Sequence, residues 1–203
     1  IKENPFEIGD SITVIFMDLD RFKAINDNFG HRTGDLVLKE VAKRLQDCFR
    51  KTDLIVRQGG DEYIVFLKNV SDQEDIMTVV NKIKNQFSIP FFINGKKITT
   101  TTSIGISMNK LEKKDQDILK FVEVTIRQAD TAMYHAKRNG GNSHCFNTSD
   151  QNTEMERYYQ LEQQIKYALG RDEFHIVYHP LVDLQKNRIT GVEALLRWNN
   201  PEL

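Results

Sequence analysis

The 203-residue chain has only two cysteines, four prolines and one tryptophan. No metal-ligand spacing surrounds Cys48 or Cys145, so a zinc site is not readable. Two cysteines are also too few for a disulfide-held secreted scaffold, and buried thiols in a reducing cytoplasm are expected. No apolar run approaches the ~20 residues of a membrane span, and no signal peptide opens the chain. A net charge of −1 removes the electrostatic case for nucleic acid as a partner. These absences point to a cytoplasmic location without membrane contact by this stretch of chain. The first residue is Ile1, not Met, and the last follows closely on a strand-like run. Both ends read as cuts in a longer parent, which could itself be membrane-attached.

What is present is ordinary for a globular protein: 39% hydrophobic and 28% charged residues. The length allows one well-cored domain and part of another. Residues 11–17 form a β-branched apolar run that predicts a buried strand ending at Asp18-Leu19-Asp20. Phe22, Ile25 and Phe29 recur at helical spacing, and a second helix is expected after Gly34. Strands at 53–57 and 63–67 flank a hairpin connection at Gln58-Gly59-Gly60-Asp61-Glu62. A helix is expected over 72–87, followed by a turn at Asn94-Gly95 and one long strand over 98–108. A helix over 122–138 and a short strand at 144–146 complete this part. Residues 147–153 are polar and read as a linker. Beyond it lie a helix over 155–169 and strand-like runs at 174–181 and 188–198. This order predicts a mixed α+β layer domain with a largely antiparallel sheet flanked by helices.

If the strands at 11–17 and 63–67 are neighbours, Asp18, Asp20, Asp61 and Glu62 converge at one sheet edge. Such a cluster suits Mg²⁺, a hard ion that shares oxygen ligands with substrate phosphates. Gly59 and Gly60 would adopt positive φ and let a phosphate approach the backbone. The plainer reading is that Asp, Glu and Gly are ordinary solvated turn residues. From the residues alone, both readings stand.

The segments Asp18-Leu19-Asp20-Arg21-Phe22-Lys23-Ala24-Ile25-Asn26-Asp27, Gly30-His31, Gly34-Asp35 and Arg57-Gln58-Gly59-Gly60-Asp61-Glu62-Tyr63 together resemble the GGDEF family of diguanylate cyclases. Ser103-Ile104-Gly105-Ile106-Ser107 and residues 129–137 extend the resemblance over about 140 residues. It implies a palm-like nucleotidyl cyclase fold over residues 1–148, with 149–153 as linker. It also implies an activity, the joining of two GTP molecules into cyclic di-GMP by a transient homodimer. Asp18, the Leu19 carbonyl and Asp61 would bind Mg²⁺ or Mn²⁺, and Asp61 or Glu62 would assist deprotonation of the attacking hydroxyl. The backbone at Arg21, Phe22 and Lys23, with Gly59, Gly60 and Lys137, would meet the phosphates. Asn26 and Asp35 would hydrogen-bond guanine, which disfavours other nucleotides.

Within the same resemblance, Arg50 and Asp53 would form a product-inhibition site. The plainer alternative is a surface ion pair at i, i+3. Three departures stand out. Tyr63 replaces a Phe, Gly141 stands where the family often has Arg or Lys, and the family's opening segment with its helix is missing. Residues 154–203 resemble the start of an EAL-type cyclic di-GMP phosphodiesterase, an incomplete (β/α) barrel. There Glu193 would be a metal ligand and Arg197 a phosphate contact, while His179 replaces a Gln. The other metal carboxylates of that family lie beyond this chain, so no hydrolysis is expected from it, and strand 174–178 is expected to lack partners. Two functions follow: an active cyclase in a tandem protein, or a module that binds GTP or cyclic di-GMP and regulates the phosphodiesterase.

Overall fold

A computed structural model describes residues 9–112 and 117–201. The first compact unit runs to Asn152 and the second from Thr153. The expectation that the family's opening segment is missing concerns the start of the chain, where residues 1–8 lie outside the described residues.

The first unit is built on β1 (Ser11–Leu19), whose nine residues are all buried. A strand covered on both faces has no need of alternation, which is why its sequence reads as one apolar run. Its two faces still differ. Ile15, Met17 and Leu19 join the core formed with α1 (Phe22–Phe29), α2 (His31–Cys48) and α3 (Gln73–Ser88). Ile12, Val14 and Phe16 pack against Phe121, Ala129 and Met133 of α4 (Ile118–Arg138). By the two-residue period of a strand, Asp18 belongs to the α4 face.

The sheet has the order β2-β3-β1-β6-β7. In chain order these are β2 (Leu54–Gly59), β3 (Glu62–Lys68), β6 (Thr102–Lys110) and β7 (His144–Phe146). The pairings are antiparallel except β6 with β7, which are parallel. The largely antiparallel, helix-flanked architecture is therefore as expected. A separate hairpin, β4 (Phe91–Ile93) with β5 (Lys96–Ile98), turns at Asn94 and Gly95, both at positive φ.

Four local expectations are corrected. Helix α2 starts at His31, not after Gly34, because the sharp bend between the helices lies at Gly30 (φ 84°, ψ 151°). Gly34 lies inside the helix, where a Cβ would come 2.0 Å from Asn26 Oδ1. The long strand expected over 98–108 is two strands. They are interrupted where the Thr100 hydroxyl donates to the Asp20 carbonyl (3.0 Å) and the Asp20 N–H donates to the Thr101 carbonyl (2.9 Å). Helix α4 starts at Ile118 because the Asp117 carboxylate accepts from the Leu119 and Lys120 N–H groups. Residues 149–153, expected as linker, fall in the first turns of α5 (Ser149–Ala168).

In the second unit, α5 and a 3₁₀ turn (Leu169–Arg171) lead to β8 (Phe174–Asp183) and β9 (Arg188–Trp198). These two strands pair in an antiparallel hairpin, so strand 174–178 does have a backbone partner, contrary to expectation. Its side chains remain uncovered: Ile176, Tyr178, Val192 and Leu196 are each more than half exposed. Neither cysteine forms a disulfide; Cys48 is buried and Cys145 half-buried. Among the described residues, no helix is long and apolar enough to cross a membrane.

Candidate active site

The site begins with register. Asp18 on β1 lies directly opposite Glu62 on β3 and Ser103 on β6. The β2–β3 turn then carries Asp61 to the same end of the sheet, where the Leu19 N–H donates to the Asp61 carbonyl (3.3 Å). The turn is held by a residue that the sequence did not single out. The Arg57 guanidinium donates twice to the Gly60 carbonyl, at 2.9 and 2.7 Å. Only Gly60 takes a positive φ (49°); Gly59 ends β2 in ordinary strand geometry, with open space beside it.

Asp18 is 5% exposed. Lys137 Nζ donates to Asp18 Oδ1 at 2.7 Å. Burial raises the Asp18 pKa, Lys137 counteracts this, and Asp61 and Glu62 raise it further. Glu62 is also raised, by burial and then by Asp130 and Asp61. Asp130, on α4, is raised by burial and by Asp18. It lies two helical turns before Lys137, hence on the same face of α4. That i, i+7 relation was the available signal for it. The site is thus three to four acids around one lysine.

Asp20 takes no part in this cluster. It accepts from the hydroxyls of Thr101 (2.6 Å) and Ser103 (2.6 Å) and from the Asn142 N–H (2.8 Å). It ties the β1–α1 connection to β6 and to the turn after α4. Asp18, not Asp20, is the acid of this segment that faces Asp61, Glu62 and Lys137.

Among the described residues, no three His, Cys, Asp or Glu side chains close into an ion cage of their own. The donor set nevertheless fits a hard divalent ion. Asp18 and Asp61 supply carboxylate oxygen, and Mg²⁺ commonly completes its octahedron with phosphate and water.

Arg21 begins α1 in the left-handed conformation (φ 57°, ψ 28°). The first N–H groups of a helix have no intrahelical partner, so those around Phe22 and Lys23 are available to an anion. The Phe22 side chain is buried in the core, while Lys23 and Arg21 are exposed. Asn26 packs on Gly34 at the first turn of α2, one residue before the exposed Asp35. Only glycine at 34 permits this packing, since any Cβ would occupy the Asn26 amide.

At a separate place, Arg50 and Asp53 border a cavity of about 200 Å³ that Lys82 of α3 also lines. Asp53 Oδ2 accepts the Arg50 backbone N–H (2.8 Å), so the carboxylate shapes a turn. The surface ion pair considered as the alternative is not what joins them. On β9, Glu193 and Arg197 lie on one face, opposite His179 and His175 of β8.

Comparison with known proteins agrees with this architecture. The family model for "Diguanylate cyclase, GGDEF domain" matches residues 2–143, and that for the EAL domain matches residues 162–203. The chain belongs to the GGDEF diguanylate cyclase family and runs on into the start of an EAL domain. It is 38% identical over 189 residues to MucR of Pseudomonas aeruginosa, a bifunctional diguanylate cyclase/cyclic di-GMP phosphodiesterase, covering 93% of this chain. It is 32% identical over 194 residues to the cyclic di-GMP phosphodiesterase PdeR of Escherichia coli, covering 96% of this chain. The chain spans only 27% and 28% of the length of those two relatives. Among solved structures, the GGDEF domain of YfiN (TpbB) from Pseudomonas aeruginosa matches with a TM-score of 0.62 at 31% identity, over 68% of this chain and 83% of that one. The active GGEEF domain of a diguanylate cyclase from Vibrio cholerae matches with a TM-score of 0.57 at 34% identity, over 68% and 84%.

Proposed function

We propose that the first unit is a working diguanylate cyclase, condensing two GTP molecules into cyclic di-GMP with release of two pyrophosphates. The observation that carries this reading is the meeting of Asp18, the Asp61-Glu62 turn and Lys137 at one end of the sheet. Each GTP sits on one subunit of a transient homodimer. Asn26 and Asp35 hydrogen-bond the guanine edge; a carboxylate can accept from guanine N1–H and N2–H₂, a pair adenine does not offer. The N–H groups at the start of α1 receive the phosphates, and Lys137 offers a counter-charge. Asp18 and Asp61, with the Leu19 carbonyl, would hold a divalent ion, which would supply positive charge at the reacting phosphate. Asp61 or Glu62 takes the proton of a 3′-hydroxyl. The freed oxygen forms a bond to the α-phosphorus of the other GTP as the bond to pyrophosphate breaks. The same exchange in the other direction closes the ring.

Accumulated cyclic di-GMP binds at Arg50 and Asp53, with Lys82 as a further cation, and slows the reaction. Glu193 and Arg197 belong to a phosphodiesterase half that acts on the same dinucleotide.

A second reading rests on Gly141. It puts no cation where one is common in the family, which suits a module that binds GTP or product and regulates the attached phosphodiesterase. The test is to incubate the full-length protein with GTP and Mg²⁺ while following pyrophosphate and cyclic dinucleotide. Product that disappears in Asp61→Ala supports the cyclase. Tight GTP binding without product supports the regulatory module instead. If product forms, Arg50→Ala is expected to remove inhibition by added cyclic di-GMP; inhibition unchanged in that variant eliminates the Arg50–Asp53 site.

A further inference from the structure

The Asp18 side chain is 7% exposed, and among the described residues Lys137 is the only side chain that hydrogen-bonds its carboxylate. The contact is short, 2.7 Å from Lys137 Nζ to Asp18 Oδ1. Asp61 and Glu62 act on Asp18 by charge, and Asp130 adds its own charge from α4. Asp20 is charged as well, but its oxygens accept from Thr101, Ser103 and Asn142 instead. One ammonium thus stands among several carboxylates, bonded to the one that a divalent ion would need.

Two features decide what this contact does. The first is the asymmetry of the pair. Asp18 is buried within β1, whereas Lys137 is about half exposed, at the end of a flexible four-carbon stem. Lys137 also borders the open cleft beside α1, so its ammonium has room to leave. The backbone of α4 does not follow, because Ala129 and Met133 sit directly on Gly105. Lys137 is therefore the partner that yields, and only by its side chain. The second feature is charge. An ion that binds Asp18 by itself must displace the ammonium and then stay near it, two positive groups in a partly buried place where screening is weak. A nucleotide removes this conflict. Its phosphate oxygens accept from the displaced ammonium and serve as ligands to the ion at the same time.

We propose that Lys137 is a built-in counter-ion that keeps Asp18 from taking up a divalent ion alone, so that ion and nucleotide enter the site together. The proposal rests on reading the Asp18 site as a metal-bearing GTP site, but not on turnover there. It gives Lys137 a second duty beside that of a phosphate counter-charge: before nucleotide arrives, it competes for Asp18. By linkage, ion and nucleotide must then strengthen each other's binding by the same factor.

The test is Mn²⁺ binding to the full-length protein, followed by the paramagnetic resonance of free Mn²⁺. It is run with and without a GTP analogue that carries a methylene between the α- and β-phosphorus. Only binding that is lost in Asp18→Ala is counted, which leaves out ions held elsewhere. In the wild type the analogue is expected to tighten Mn²⁺ about tenfold or more. Lys137→Met should tighten Mn²⁺ about tenfold without the analogue, the size of one charge-assisted hydrogen bond, and shrink the effect of the analogue by the same factor. Arg138→Gln removes the neighbouring exposed charge on α4 and should leave both values as in the wild type. Unchanged or weaker Mn²⁺ binding in Lys137→Met overturns the proposal. An equal gain in Arg138→Gln also overturns it, since the general field and not the contact would then be responsible. Wild-type Mn²⁺ binding that ignores the analogue overturns it without any variant. Because the analogue does not react, failure here and failure of the cyclase reading are distinct. A protein that forms no product yet gains Mn²⁺ affinity in Lys137→Met keeps this inference and loses the cyclase reading. A productive protein whose Lys137→Met variant binds Mn²⁺ as the wild type does the reverse.

Discussion

Asp130 shows how much of the site's character is electrostatic crowding. Burial and Asp18 hold its pKa above the ordinary 3.8, so the native state keeps this proton to higher pH than the unfolded chain does. No penalty exists below the unfolded value. It grows as pH rises from the unfolded value to the raised pKa and is complete above that. Asp130→Asn is therefore expected to make the ligand-free protein more stable at pH 7, and the gain should shrink as pH falls toward 4. Denaturant melts of both proteins across that range check this; a gain independent of pH would assign it to packing. Tyr63 is a different case. It is 1% exposed, and its hydroxyl donates to the Leu38 carbonyl on α2 (2.9 Å). The exchange of a Phe for Tyr thus leaves the acidic turn alone and adds a cross-link beneath it.

At the scale of elements, the site depends on how closely α4 lies on the sheet. Gly105 of β6 sets that distance: a Cβ there would stand 1.9 Å from the Ala129 carbonyl oxygen and 2.1 Å from the Met133 nitrogen. Both obstacles are helix backbone, so no rotamer change relieves them. Gly105→Ala is expected to cost about 3 kcal/mol or more, at the upper end for overpacked cores. It should also lift Lys137 away from Asp18. A thermal melt with an unchanged midpoint would refute the close approach.

The same element explains what could and could not be read beforehand. The apolar runs of β1, β3 and β6 and the helical spacing of α2 and α3 are local patterns, and they carry the fold. Asp18, Asp61 and Lys137 were legible through motif. The break at residues 99–101 was not, because it is made by Asp20, some 80 residues away in sequence. The role of Arg57 in holding the acidic turn was hidden for a related reason. It is an ordinary exposed cation until the turn forms beside it.

At the scale of the molecule, the two units differ in how far their apolar side chains are covered. The first has cores on both faces of its sheet. The second presents a hairpin with large apolar side chains in solvent, Leu184 at 91% exposure and Ile189 at 65%. A two-stranded hairpin is marginal in water by itself. The hairpin lies within residues 162–203, which match the EAL domain model. Expressed as residues 1–203 alone, the protein is expected to show protease cleavage within β8 and β9 before the first unit is cut. Limited proteolysis with mass spectrometry checks this, and resistance of the hairpin equal to that of β1 would contradict it.

The bond between Lys137 and Asp18 has a last consequence. Several like charges are gathered at one sheet end, and in the resting chain a single half-exposed lysine neutralises the deepest of them. Any cation-bearing nucleotide that takes over that duty favours the native state, by about 2.7 kcal/mol at a hundredfold excess over its dissociation constant. Heat tolerance then becomes a gauge of cargo. A cell rich in nucleotide would keep this protein longer than a starved one, with no change in its synthesis.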